Sequence, residues 1–197
     1  MVKRAFDIVV SAMAILVLAP LLLGLAVAVM LGSPGGAFFR QVRVGKGGRE
    51  FSLLKFRTMR PGSESLGQIT VGGRDPRITG IGYVLRKTKM DELPQLLNVF
   101  LADMSIVGPR PEVPKYVAMY TPEQRQVLSV RPGITGAASV AYIDENELLG
   151  RSTDPERTYV EEVMPAKLAL DLDYVRHQSF VNDLSILLRT GARLFAG

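Results

Sequence analysis

The sequence contains no cysteine, and its only histidine is His177. The absence of cysteine excludes disulfides, thiolate nucleophiles and cysteine-ligated zinc, and it agrees with a reducing compartment. A single histidine argues against a histidine-rich metal site or a hydrolase triad, and we expect His177 to be a surface residue. Any chemistry must therefore rest on carboxylates, hydroxyls, lysines or a hard metal ion.

The common nucleotide-binding signatures are also absent. No GxGxxG or GxxxxGK[ST] motif occurs in the chain, so classical dinucleotide-binding and NTPase sites lack their fingerprint. Aromatic residues make up only 7% of the sequence. So few aromatics, next to an apolar N-terminal segment, argue against nucleic acid as a partner.

Charge is distributed unequally after the apolar segment. Residues 32–89 hold 12 Lys and Arg against 3 Asp and Glu, whereas residues 90–197 hold 10 against 15. The first part is therefore strongly basic and the second is acidic. A basic block beside a membrane segment suits an anionic lipid surface, and it also suits a phosphorylated substrate drawn to that surface.

One long hydrophobic run is present, from Ile8 to Leu31, with Pro20 near its midpoint and no charge within it. A helix of that length reaches about 36 Å, compared with about 30 Å for the hydrocarbon core of a bilayer. Pro20 removes one backbone donor and presses on the carbonyl of Leu16, so we expect the helix to kink or break there. Two arms of about 18 Å would remain, each too short to cross.

Basic residues flank the run on both sides, and the positive-inside rule places both flanks in the cytoplasm. They are Lys3, Arg4, Arg40, Arg43, Lys46 and Arg49. We therefore predict a re-entrant membrane helix over residues 1–35, broken at Pro20. Two alternatives remain: a proline-kinked helix that crosses the membrane, and a cleaved signal peptide, although its apolar stretch usually has only about 7 to 15 residues.

The 166 residues after Leu31 are enough for one domain with its own core. We predict an α+β, mostly helical cytosolic catalytic domain over residues 36–197. Residues 38–59 show two β-type runs around the turn GKGG, which predicts a β-hairpin. Residues 61–76 are rich in turn formers and predict a long loop. From Ile78 onward the pattern predicts short amphipathic helices, the last of which could rest on the membrane interface.

The stretch MDELP holds two adjacent carboxylates, Asp91 and Glu92, before Pro94. Because proline is tolerated in the first turn of a helix, we expect a helix to begin at about Asp91 or Glu92, with both carboxylates at the positive end of its dipole. Three cations within residues 86–89 would keep Asp91 ionised and able to attack, and they would also bind phosphate. The alternative is that Asp91 is only an N-cap.

Two further motifs present cations. In VGPRPE, Arg110 lies between Pro109 and Pro111, which restrict the backbone to extended conformations. A guanidinium held this way suits a phosphate, although a solvated loop arginine is the alternative. In KFRTM, Lys55 and Arg57 are expected on one face of a strand, where cations are often merely solvated.

Taken together, these stretches resemble the monotopic phosphoglycosyl transferases, also called the bacterial sugar transferase family. The resemblance covers KRAFD, the proline-containing apolar run, KFRTM, DELPQLLNV, DMSIVGPRP, RPGITG and LDLDYV. It implies transfer of a sugar-1-phosphate from a UDP-sugar to polyprenyl (undecaprenyl) phosphate, with release of UMP and a covalent aspartyl-phosphosugar intermediate. This reaction is the first membrane step of glycoconjugate or exopolysaccharide synthesis.

The resemblance also implies roles for individual residues. Asp91 and Glu92 match the family's catalytic pair, with Glu92 either orienting a group or taking part in proton transfer. Arg86, Arg110 and the late acidic residue Asp171 match substrate-binding positions, which Lys55 and Arg57 would extend. The family needs magnesium, for which Asp91 is the expected ligand. The expected location is the cytosolic face of the bacterial cytoplasmic membrane, and the expected partners are a UDP-sugar, polyprenyl phosphate and anionic lipid, without nucleic acid.

The chain departs from the family pattern in two places. It has Ala19 before Pro20 where the family often has serine, so no serine hydroxyl can satisfy the freed carbonyls there. After RPGITG it reads AASVAYIDENELL instead of a segment with tryptophan and glutamine, which leaves the sugar open. A non-catalytic module that binds anionic lipid is the rival function, but it leaves DELP and GPRP unexplained. A polytopic phosphotransferase fails because only one apolar run is long enough.

Overall fold

The computed structural model describes residues 2–63 and 75–196. Within them the fold is a mostly helical α+β domain with one apolar N-terminal helix, as the sequence predicts, and it contains two small two-stranded sheets. The loop predicted over residues 61–76 lies largely outside the described residues.

Helix α1 spans Val2–Gly32 and contains Pro20. It is long and apolar enough to cross a membrane, by length and composition alone, and little of its most apolar part is buried against the rest of the protein. The helix continues on both sides of Pro20 without interruption. An interior proline costs one backbone hydrogen bond, and the leucine- and alanine-rich turns around it favour helix. The predicted break at Pro20 is therefore wrong, because α1 is one helix through that residue.

The first turns of α1 are fixed to the domain by polar contacts. Lys3 Nζ donates to the carbonyl of Val107 at 2.9 Å and to the Asp183 carboxylate at 2.5 Å. Asp7 is buried, and its Oδ1 accepts hydrogen bonds from the Ile106 amide and the Ser105 hydroxyl, both at 3.1 Å. The charged start of the helix is thereby bound to the interior of the domain.

The last turns of α1 contact the same domain through apolar side chains. Val29 is fully buried in a cluster with Phe56 and Leu85, and Leu22 and Leu25 pack against it. Both ends of the apolar helix therefore rest on one globular unit.

Strands β1, Phe38–Val44, and β2, Glu50–Phe56, pair antiparallel in a register that runs from Phe38 opposite Phe56 to Val44 opposite Glu50. The turn between them adopts positive φ angles at Gly47 and Gly48, a conformation that glycine adopts readily. The predicted hairpin is confirmed.

A second sheet was not predicted. Strand β3, Ser105–Val107, pairs in parallel with β4, Gly133–Thr135. The backbones approach so closely that a Cβ on Gly133 would lie 2.1 Å from the amide nitrogen of Gly108. This pairing fixes the start of the Gly108–Pro109–Arg110 segment.

The remaining described residues are mostly helical, which agrees with the pattern seen after Ile78. The α-helices are α2 (Gly80–Lys87), α3 (Gln95–Phe100), α4 (Pro114–Val117), α5 (Ala137–Ala141), α6 (Glu145–Gly150), α7 (Pro155–Thr158), α8 (Met164–Arg176) and α9 (Phe180–Ala196). Short 3-10 segments lie at Met90–Glu92 and Gln124–Ser129, and a π-helical turn at Tyr159–Val163. His177 is exposed at the end of α8, as expected.

Candidate active site

The Asp-Glu pair lies in a short 3-10 turn, Met90–Glu92, that follows Lys89 in the left-handed region with φ of 56°. The predicted helix start at about Asp91 or Glu92 therefore corresponds to this 3-10 turn, whereas the α-helix α3 begins later, at Gln95 after Pro94. The left-handed residue directs the chain into a separate tight turn before proline can begin a helix. Neither helical N-terminus carries a side-chain cap, so Asp91 is not an N-cap.

Asp91 is 7% exposed and lines the main cleft. Burial raises the pKa of its carboxyl group, while the charges of Lys55 and Arg86 oppose that rise. Among the described residues its side chain accepts no hydrogen bond. It is therefore a carboxylate in a cationic cleft with no fixed hydrogen-bond partner.

Glu92, its neighbour, is fully engaged. Its Oε1 accepts hydrogen bonds from Arg110 Nη2 at 2.7 Å and from Lys55 Nζ at 2.9 Å. Burial alone would raise the pKa of Glu92, but the charges of Arg110 and Lys55 outweigh it and hold that pKa well below its usual range. Glu92 is thus ionised at neutral pH and orients two cations.

The structure brings all the sequence-predicted site residues into one cleft of about 540 Å³. They are Lys55, Arg57, Arg86, Asp91, Glu92, Arg110 and Asp171. The cleft is lined on one side by the hairpin and on the other by the segment after β3 and by α8.

Arg57 and Arg86 are the other two predicted arginines that line the cleft. Arg86, in the last turn of α2, donates from Nε to Thr58 Oγ1 at 2.9 Å, and burial lowers its pKa. Arg57 directly follows β2, and its amide donates to the carbonyl of Ala37 at 2.9 Å, which continues the pairing of the hairpin by one residue. Arg57 lines the same cleft as Lys55. Its guanidinium donates to the carbonyl of Gly36 at 3.2 Å and to that of Phe38, the first residue of β1, at 3.0 Å.

Asp171, on α8, is 5% exposed. Burial raises its pKa to about 7, although the backbone amide of Ala138 and the charge of Lys167 oppose the shift. Its Oδ1 has no hydrogen-bond partner among the described residues. The cleft wall therefore contains a second carboxyl group that is available to a ligand.

Sequence reasoning missed a network behind Arg110. Arg43 Nη1 donates to the carbonyl of Pro111 at 2.9 Å and to Glu112 Oε1 at 3.1 Å, and the Tyr159 hydroxyl donates to Glu112. These contacts fix the chain directly after Arg110. The sequence feature that could have indicated this network is Glu112, the acid that follows GPRP. Arg43 gives no such signal, because in the sequence it is one of several basic residues after the apolar run.

Within residues 2–63 and 75–196, no group of three or more histidines and acids is arranged to hold a metal ion. A protein-only metal cage is therefore not present in that part of the chain. Asp91 offers a carboxylate that accepts no hydrogen bond from the described residues, which suits the way Mg²⁺ binds through one or two carboxylates together with substrate phosphates.

The protein joins an apolar helix to a small domain. The cleft of that domain combines several cations with a carboxylate that has no hydrogen-bond partner among the described residues. This combination is typical of a membrane-associated enzyme that acts on phosphate-linked substrates. The chain belongs to the bacterial sugar transferase family, whose model matches residues 1–197. The resemblance seen in the sequence motifs is confirmed.

Curated relatives of the chain are named as sugar-phosphate transferases or as exopolysaccharide production proteins. The chain is 42% identical to a UDP-glucose:undecaprenyl-phosphate glucose-1-phosphate transferase of Caulobacter vibrioides, over 95% of this chain and 67% of that protein. It is 42% identical to the exopolysaccharide production protein PSS of Rhizobium leguminosarum, over 95% of this chain and 92% of that one. The chain is also 36% identical to the UDP-glucose:undecaprenyl-phosphate glucose-1-phosphate transferase of Escherichia coli, over 96% of this chain and 39% of that protein. The chain therefore spans well under half of that last relative.

Proposed function

We propose that the protein transfers a sugar-1-phosphate from a UDP-sugar to polyprenyl phosphate, giving polyprenyl-diphosphate-sugar and UMP. The relatives' names support the reaction. The observation that carries the proposal is the contrast between two adjacent acids in one cleft: Glu92 is held by two cations, and Asp91 is left unpartnered. One acid organises the site and the other is free to react.

The reaction has two balanced steps. A carboxylate oxygen of Asp91 attacks the sugar-bearing phosphorus, the phosphoanhydride bond breaks, and UMP leaves with that electron pair. The phosphosugar remains on Asp91 as an acyl phosphate. A phosphate oxygen of the acceptor then attacks the same phosphorus, the bond to Asp91 breaks, and the carboxylate is restored.

The other cleft residues have positioning and charge-stabilising roles. Glu92 fixes the directions of the Lys55 ammonium and the Arg110 guanidinium, so both are preorganised for the charge of a diphosphate. Arg57 and Arg86 add positive charge at the rim. Asp171 presents an oxygen without a partner to a hydroxyl of the substrate.

Magnesium fits the donor set of the cleft. Asp91 would hold it together with oxygens of the diphosphate, because the described residues contain no group of three or more histidines and acids that could hold a metal ion alone. A bound Mg²⁺ would neutralise phosphate charge and stabilise the leaving nucleotide.

The membrane segment is proposed to enter the bilayer from the cytosolic face and return. The first turns of α1 bond to Val107 and Asp183, and its last turns pack on Phe56 and Leu85. A straight crossing helix would carry one of these ends to the opposite side of the membrane. Attachment of both ends to one domain, together with the basic residues on both flanks, supports the re-entrant path.

The test is to mix the protein with UDP-sugar, radiolabelled in the sugar, and magnesium, without lipid, and to measure label that stays with denatured protein. The wild type should retain label and release UMP. Asp91→Asn should retain none, whereas the matched control Asp173→Asn, at an exposed acid, should behave as wild type. Label kept by Asp91→Asn, or UMP release that requires both substrates, would remove Asp91 from the nucleophile role. A protein that binds anionic vesicles but never releases UMP would be the non-catalytic module.

A further inference from the structure

A second cavity, of about 360 Å³, adjoins the main cleft. Glu92 and Arg110 line both, so their ion pair lies where the two spaces meet. Lys89, Glu145, Asn146 and Lys167 are also common to both. Asp91 lines the main cleft and not the second cavity. The second space thus reaches the reacting centre from the side of the Glu92–Arg110 pair.

Away from this shared wall the lining is largely apolar. The apolar side chains are Leu93, Leu96, Ile134, Val140, Tyr142 and Ile143. The main cleft, by contrast, is lined by many charged groups from the hairpin and the segment that carries Arg110. Two adjoining spaces of different polarity match two substrates of different polarity.

The cations around the second cavity are of two kinds. Arg110 is paired with Glu92, and Lys167 with Glu145 at 2.6 Å. Lys89 and Arg193 form no ion pair within the part of the chain that the structure describes. An apolar cavity with two unpaired cations complements an anionic amphiphile.

The helices that border this cavity also present apolar side chains to the exterior. Leu96 of α3 lines it, and on the same helix Leu97 and Phe100 are exposed. Thr190 and Arg193 of α9 line it, and the same helix exposes apolar residues earlier along its length. These are Val181, Leu184 and Leu188. Because α3 also contacts α1, one wall of the cavity is a helix that packs directly against the membrane segment.

We propose that this second cavity binds the phosphate-proximal isoprene units of the polyprenyl phosphate acceptor and delivers its phosphate to the Glu92–Arg110 wall. The inference rests on the proposed function and assigns the acceptor to a place within it. The donor occupies the polar cleft, and the acceptor approaches the phosphosugar on Asp91 from the adjoining space. The rest of the isoprenoid chain stays in the bilayer.

A membrane phospholipid is the competing anionic amphiphile. A diacyl phospholipid brings two chains, and as a phosphodiester its phosphate carries one negative charge. A polyprenyl phosphate is a monoester with a single chain and a charge of about −1.5 to −2 near neutral pH. One apolar cavity with two unpaired cations matches the single chain and the dianion.

The experiment separates the two half-reactions. Ile143→Trp fills the cavity, and Arg193→Gln removes one unpaired cation. Either variant should raise KM for polyprenyl phosphate about tenfold or more, the effect of about 1.4 kcal/mol. Both should retain wild-type labelling with UDP-sugar in the absence of lipid, which shows that the fold and donor site are intact. The control Leu148→Trp, at an exposed position that lines neither cavity, should leave both measurements unchanged.

Three outcomes would overturn the assignment. One is a wild-type KM for the acceptor in both variants. Another is loss of lipid-free labelling in both, which would place the effect on the donor site. The third is competition by phosphatidylglycerol in mixed micelles that Arg193→Gln abolishes, because the cavity would then hold phospholipid. Binding of radiolabelled polyprenyl phosphate to Asp91→Asn measures the cavity without chemistry, so its failure is distinct from a failure of the proposed reaction.

Discussion

Glu92 and Arg110 form an ion pair at the junction of the two cavities, with 2.7 Å between Glu92 Oε1 and Arg110 Nη2. The pair joins the turn that carries Asp91 to the proline-bounded segment after β3. The arginine is therefore oriented before any substrate enters, by a carboxylate whose pKa is held well below its usual range. Preorganised charge of this kind is what a developing phosphoryl transition state requires.

Arg110→Lys should lower kcat/KM for the UDP-sugar at least about tenfold, a loss of about 1.4 kcal/mol. Lysine keeps the charge, but it cannot bond to Glu92 and a substrate phosphate through one planar fork. Steady-state UMP release measures the change. Arg151→Lys, at an exposed arginine, is the matched control and should be neutral. A fully active Arg110→Lys protein would show that only charge matters there.

Glu92→Gln tests whether Glu92 orients groups or transfers a proton. Glutamine lacks the negative charge that holds Lys55 and Arg110. The rate of lipid-free labelling should therefore fall at least about tenfold, which corresponds to a rise of about 1.4 kcal/mol in the activation free energy. Because an ionised Glu92 supplies no proton at neutral pH, the shape of the pH-rate profile should stay that of the wild type. Loss of one limb of that profile would instead identify Glu92 as the proton-transfer group.

Asp171→Asn should make the protein more stable at pH 8. The pKa of Asp171 is about 7 in the folded state, compared with about 3.9 in an unfolded chain. The native state therefore binds its proton more tightly, and the associated stability is present below about pH 4 and lost as pH rises through 7. Asparagine has no carboxyl group to ionise beside Lys167 and Tyr120.

Thermal unfolding in detergent at a series of pH values measures this difference. The gain in Tm of Asp171→Asn over wild type should be largest above pH 7 and shrink toward pH 4, at about 2 to 4 °C for each kcal/mol. Glu147→Gln, at an exposed acid that lines neither cavity, is the matched control and should change Tm little at any of these pH values. A gain that is constant with pH would contradict the raised pKa.

The re-entrant path of α1 is tested by cysteine labelling, which is simple because the chain has no cysteine of its own. Val2→Cys and Lys46→Cys should both react with an impermeant reagent from the cytoplasmic side only. Pro20→Leu should shift part of the population toward a straight, crossing helix. Labelling of position 2 from the periplasm in the otherwise unchanged protein would exclude the re-entrant path.

Several features were determined by local sequence alone. The hairpin follows from alternating runs around GKGG, the apolar helix from the uncharged stretch after Asp7, and the limited chemistry from the missing cysteines. Each of these depends on residues that are neighbours along the chain, where periodicity and composition are direct signals. The adjacency of Asp91 and Glu92 was visible for the same reason.

The tertiary structure decided what those two adjacent acids do. Glu92 is ionised and fixed because Lys55 arrives from the hairpin and Arg110 from the segment after β3, whereas Asp91 is buried without a partner. The tertiary structure also decided the parallel pairing of β3 with β4, because these strands are too short to leave a pattern in the sequence. It likewise decided the second cavity, which lies between α3, α5 and α9. The pKa of a group and the shape of a cavity depend on which distant segments pack together, and local periodicity carries no record of that choice.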